Sequence, residues 1–148
     1  MNNENTKNLN NILEGEYMAI NSFDDLINHA NNVNNNNELR KIQQTHIQLA
    51  SCISTKIQKL GGNPSSSISI QGLVAATISN IKHIGTTDNT SYLKEALLSE
   101  YQGIKNVNEL LSHNDDFGTS DFLYSILNEY QNNINSLNSL ISNSGNIQ

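Results

Sequence analysis

The stretch LNNILEGEYMAINSFDDLINHA, residues 9–30, decides the fold class. Its apolar side chains fall at Leu9, Ile12, Leu13, Tyr17, Ile20, Phe23, Ile27 and Ala30, spacings of three and four that line one face of an α-helix. Glu16 interrupts that face between Ile12 and Ile20. A carboxylate on a buried stripe must be ion-paired, metal-bound or protonated, because burying a bare charge is strongly unfavourable. The segment therefore predicts a long amphipathic helix and marks a place where its core face is not hydrocarbon.

Outward from this stretch, the polar residues 31–37, with Val33 their only apolar member, read as a connection. A second helix carries Leu39, Ile42, Ile47, Ala50, Ile53, Ile57 and Leu60. It ends at Gly61-Gly62-Asn63-Pro64, where glycine supplies a left-handed cap and proline blocks continuation. After a Ser-rich start, Leu73, Val74, Ile78, Ile81 and Ile84 predict a shorter crossover helix. Leu93, Leu97, Ile104, Val107 and Leu111 define a third long helix, and Phe122, Ile126, Ile134, Leu137 and Leu140 a fourth. No segment alternates with period two, so no strand is expected. The expected organisation is one all-α domain over residues 1–148, an up-down four-helix bundle. Its long helices cover about 5–32, 37–61, 89–113 and 119–143, and the crossover helix about 68–85.

The formal net charge is −6, and the eight basic residues are scattered. That disfavours a phosphate-binding surface, so neither nucleic acid nor an anionic membrane is expected as a partner. No apolar run approaches the roughly 20 residues needed to span a bilayer. Residues 1–7 are too polar for a signal peptide, so a cytoplasmic location is expected. Cys52 is single, which rules out a disulfide within the chain, and it reads as a small buried helix residue. The abundance of Asn reads as the coding bias of an AT-rich genome, since Asn ranks poorly inside helices.

Polar residues interrupt all four long stripes: Glu16 in the first, Gln43 and His46 in the second, Glu100 in the third, Glu129 and Asn132 in the fourth. Gln43/His46 and Glu129/Asn132 are i, i+3 pairs, each projecting from one helix face. Glu16-Tyr17-Met18-Ala19-Ile20 is echoed by Glu100-Tyr101-Gln102-Gly103-Ile104. Carboxylates and imidazole suit iron or manganese, and an amide at Gln43 or Asn132 adds a neutral oxygen, so these six residues form a candidate metal site. The rival for the same residues is a buried polar network. Tyr17 and Tyr101 read as interface packing, His29, His83 and His113 as solvated, and Asp24 and Asp25 as helix surface.

Through Leu13-Glu14-Gly15-Glu16-Tyr17-Met18-Ala19-Ile20, Ile42-Gln43-Gln44-Thr45-His46, Leu60-Gly61-Gly62-Asn63-Pro64 and Ser99-Glu100-Tyr101-Gln102-Gly103-Ile104, in that order, the chain resembles a known group. This is the uncharacterised bacterial ferritin-like four-helix-bundle family of the rubrerythrin and ferritin-like superfamily. The resemblance implies relatives that bind iron in several branches. It also implies a ligand plan of one Glu from each of two helices and a Glu-x-x-His pair from each of the others. Gln43 and Asn132 stand where that plan has a Glu and a His. The expected function is iron or manganese binding, with an oxygen- or peroxide-linked or metal-storage role, and no small-molecule substrate or turnover is specified. The alternative is a metal-free structural or interaction bundle of a stress or dormancy response. Leftover apolar faces offer a homodimer interface.

Overall fold

The helical periodicity is realised in four helices: α1 (Asn2–His29), α2 (Val33–Lys59), α3 (Ser91–Ser112) and α4 (Phe117–Gly145). They are seen in a computed structural model that describes residues 2–30, 32–66, 90–113 and 116–145. The crossover helix expected over about 68–85, with His83, lies outside the described residues. At 1.5 Å per residue, helices of 22 to 29 residues are about 33–44 Å long. Among the described residues there is no strand, and no helix is long and apolar enough to cross a membrane.

Part of the expected connection 31–37 is helix, because Asn32 starts α2 early. Its side chain accepts from the backbone N–H groups of Asn34 at 2.7 Å and Asn35 at 3.3 Å, satisfying donors that a helix start leaves open. Asn35 is buried and donates to the Tyr92 hydroxyl at 2.7 Å, while Asn36 donates to the Ile27 carbonyl at 3.0 Å. Some of the asparagines that read as coding bias are thus structural. Further along, Asn10 donates to the Asn63 carbonyl and accepts from the Ser65 N–H, pinning the chain beyond α2 against α1.

The end of α2 is a Schellman motif. Gly62 N–H reaches the Ile57 carbonyl and Gly61 N–H the Gln58 carbonyl, both at 2.9 Å, with Gly61 at φ 85°. Gly62 needs its missing side chain for another reason: a Cβ there would lie 2.8 Å from a Thr6 methyl.

α1 packs chiefly on α2 and α3 on α4, with α1 also against α3 and α2 against α4. α1 therefore faces α4, and α2 faces α3, across the bundle axis. The core has two apolar halves. One is built on Leu9, Leu13, Ile53, Ile57, Leu123 and Ile126, the other on Phe23, Leu26, Leu39, Leu93, Leu137 and Leu140. Two stripe assignments are corrected. Ile47 is 41% exposed, and Cys52 is an exposed free thiol, because the buried face of α2 runs through His46, Leu49, Ala50 and Ile53 and leaves positions 47 and 52 outside.

Replacing Gly61 by alanine forces an L-residue into the left-handed region. It is expected to lower unfolding stability by about 1–2 kcal/mol, read as a lower urea midpoint with an unchanged m-value.

Candidate functional site

Where the two apolar halves meet, all four helices contribute polar side chains. Glu16 from α1, His46 from α2 and Glu100 from α3 are each at most 2% exposed, and Tyr130 and Asn133 from α4 complete the layer at 4% each. His46 lies between the carboxylates: Nδ1 is 2.6 Å from Glu16 Oε2 and Nε2 is 2.6 Å from Glu100 Oε1. With both carboxylates ionised, and so acceptor-only, the two contacts call for the doubly protonated imidazolium, donating on both sides. Burial alone would lower the His46 pKa. The charge of Glu16, with the hydrogen bonds and charge of Glu100, outweighs it and raises the value from 6.5 to about 10.

The Tyr130 hydroxyl donates to the other oxygen of Glu16, and burial together with the Glu16 charge pushes its pKa up. Asn133 donates weakly to Glu100 Oε1 at 3.4 Å. The rings of Phe23 and Tyr130 flank the imidazole, with centroids at 5.5 and 5.9 Å. Gly103 makes room for Tyr130: a Cβ at that position would sit 3.0 Å from the phenol ring. Among the described residues, Glu100 Oε2 is buried with no hydrogen-bond partner.

Of the six residues singled out in the sequence, the structure brings three together: Glu16, His46 and Glu100. Gln43 is only half-buried and turns away, donating to the Ile20 carbonyl at 2.9 Å and to Asp24 Oδ1 at 2.6 Å. Glu129 is half-buried and Asn132 exposed, one residue out of phase with the buried Tyr130 and Asn133. The 3-4 rhythm of Leu123, Ile126, Tyr130, Asn133, Leu137 and Leu140 carries the correct phase, whereas including the half-buried Phe122 shifts it. His29 and His113 are exposed, Tyr101 is 50% exposed, and Tyr17 packs against the core as a half-buried side chain.

A pocket of about 330 Å³ opens beside this layer between α1 and α3, with Glu16, His46 and Tyr130 in its lining. Glu95 also lines it, a residue the sequence stripe does not flag because it lies at the edge of the α3 core face. It is 4% exposed, and among the described residues neither of its carboxylate oxygens has a hydrogen-bond partner. Burial, then the nearby Asp25 charge, push its pKa up to about 6, against a smaller opposing effect of His29.

A carboxylate-bridged two-metal centre does not fit this layer. That centre draws on four carboxylates and two imidazoles. Here two carboxylates and one imidazole converge, and the α4 pair offers a phenol and an amide. Among the described residues no group of three or more His, Cys, Asp or Glu side chains is arranged to hold a metal ion. In the arrangement seen, the imidazolium supplies the positive charge between the carboxylates.

The fold is that of a ferritin-like four-helix bundle, here with a polar layer at its centre. Residues 4–113 match the family described as a domain of unknown function (DUF2383), and the chain belongs to that family. Its fold is similar to that of a dodecameric thioferritin, the bacterioferritin-related protein from Bacteroides fragilis. The TM-score is 0.80, the sequence identity 18%, and the match covers 98% of this chain and 88% of that one. At that identity the likeness establishes the fold alone. No curated protein matches the sequence.

His46→Ala leaves two carboxylates buried without their cation and is expected to cost about 3–5 kcal/mol in chemical denaturation. In the wild type the sign follows from a folded pKa raised above the unfolded one. The His46 contribution is fully present below about pH 6.5 and is lost as pH rises through about 10. The stability difference between wild type and His46→Ala should therefore narrow over that window.

Proposed function

We propose that this protein is a ferritin-like bundle that binds one divalent cation, iron or manganese, in its central layer, with a binding or storage role. The observation that carries this reading is the charge balance. Glu16 and Glu100 share a single imidazolium, and Glu100 Oε2 is buried without a partner. A divalent ion would supply the missing charge if the deprotonated His46 ring turned from between Glu16 and Glu100, leaving the three as ligand types that iron and manganese accept. When bound, such an ion supplies Lewis acidity and, for iron, one-electron chemistry. The residues themselves orient and desolvate the site: Tyr130 holds Glu16, and Asn133 holds Glu100. With two of the usual carboxylates absent, two-metal oxygen or peroxide chemistry is not part of the proposal.

The competing reading is a metal-free structural bundle, favoured by one specific observation: both nitrogens of His46 are already engaged. Elemental analysis of protein expressed with iron and with manganese, followed by titration calorimetry, separates the two. About one ion per chain, lost in Glu100→Ala, supports the proposal. Wild-type protein that neither carries nor takes up metal overturns it and leaves the structural bundle.

Self-association is proposed as well. Val33, Ile47, Leu98, Tyr101 and Tyr124 are large apolar or aromatic side chains left exposed on three helices, and the structural neighbour is a dodecamer. Static light scattering should give a mass at least twice the 16.4 kDa of one chain, whereas a monomer at micromolar concentration refutes the assembly.

A further inference from the structure

The pocket between α1 and α3 has features that the central layer does not explain. Its walls are mainly apolar, with Ile12, Ala19, Leu98 and Val107 among them, and about 330 Å³ lies within the range of small-ligand sites. Among the polar residues of that lining, Glu95 stands out: its carboxylate is buried, and neither oxygen has a partner among the described residues. A buried polar group without a partner is unfavourable by the full desolvation of that group, so a ligand that brings donors to it gains what the protein leaves unmet. The surroundings select the ligand's charge. Two carboxylates, Glu16 and Glu95, line the pocket against one imidazolium, His46, and Asp25 outweighs His29 in its effect on Glu95, so the balance repels an anion and attracts a cation. Gly15 also lines the pocket, and a Cβ added there would meet nothing within 4 Å, so the space extends to the α1 backbone.

We propose that this pocket binds a small organic cation, a primary amine with a short apolar tail, whose ammonium group donates to Glu95 while the tail lies against Ile12, Ala19, Leu98 and Val107. An ammonium has three donors and no acceptor, which suits a carboxylate with both oxygens open. The pocket borders the proposed metal layer, sharing Glu16 and His46 with it, but its anchor is Glu95, which is not among the proposed metal ligands.

Hexylammonium is a suitable probe, with 1-hexanol as its neutral counterpart, titrated into the full chain and followed by calorimetry and by methyl NMR shifts of Leu98 and Val107. The expected result is saturable hexylammonium binding that shifts both methyl groups and is at least about tenfold tighter than hexanol binding. Glu95→Gln should weaken it by a similar factor. Gly15→Leu, which projects into open space and favours helix, should abolish binding while retaining the helical circular dichroism. Equal affinity for hexanol, unchanged affinity in Glu95→Gln, or absence of shifts at Leu98 and Val107 in the wild type overturns the proposal. The last readout needs no variant to fold, and none of these measurements depends on metal uptake.

Discussion

His46 reaches Glu16 with one ring nitrogen and Glu100 with the other, so a single side chain ties α2 to both α1 and α3. Tyr130, donating to Glu16, and Asn133, donating to Glu100, bring α4 into the same network. The imidazolium offsets the burial of both carboxylates, and their charges hold its proton in place. The neighbours follow from that mutual dependence. Gly103 is small so that the phenol can approach, and the Phe23 and Tyr130 rings flank the imidazolium. A well-packed hydrocarbon core of equal volume would be no less stable, so stability alone does not account for the layer.

The layer is asymmetric in a way that the sequence echo hides. Glu16 and Glu100 occupy equivalent positions in the two repeats, and residues thirty places later, His46 and Tyr130, both meet Glu16. One half-repeat thus brings a base that carries a proton as a cation, and the other brings a phenol that donates while staying neutral. Ferritin-like centres balance two metals with matched carboxylates and imidazoles. The layer here has two carboxylates and one imidazole, half of that number.

Glu16, His46 and Glu100 are legible because each interrupts an apolar stripe, and a stripe of three- and four-residue spacing fixes which way a helical side chain points. The ferritin-like bundle was legible for the same reason, since four such stripes need one another. α4 was harder. Phe122 and Ile134 are apolar on two adjacent phases of the helix, and choosing Phe122 rotated the reading by one residue onto Glu129 and Asn132. Tyr130 and Asn133 are not legible in the sequence, because a tyrosine and an asparagine do not mark themselves as core. Glu95 was invisible to periodicity, because its burial comes from how closely α1 approaches α3, a tertiary distance that no spacing within α3 encodes. The Asn-rich start of α2 hides its helix because composition does not show capping geometry: Asn32 caps the helix through its side chain.

The division of the core into two apolar halves has a consequence for alignment. Coiled-coil-like packing of leucine and isoleucine leaves helices free to exchange one hydrophobic contact for a similar one a turn away, at modest loss. Here a shift of α2 by one turn, about 5.4 Å, would carry His46 out of reach of both Glu16 and Glu100 and press bare carboxylates against leucine. The polar layer therefore works as a vernier mark, and the bundle can close in only one longitudinal setting.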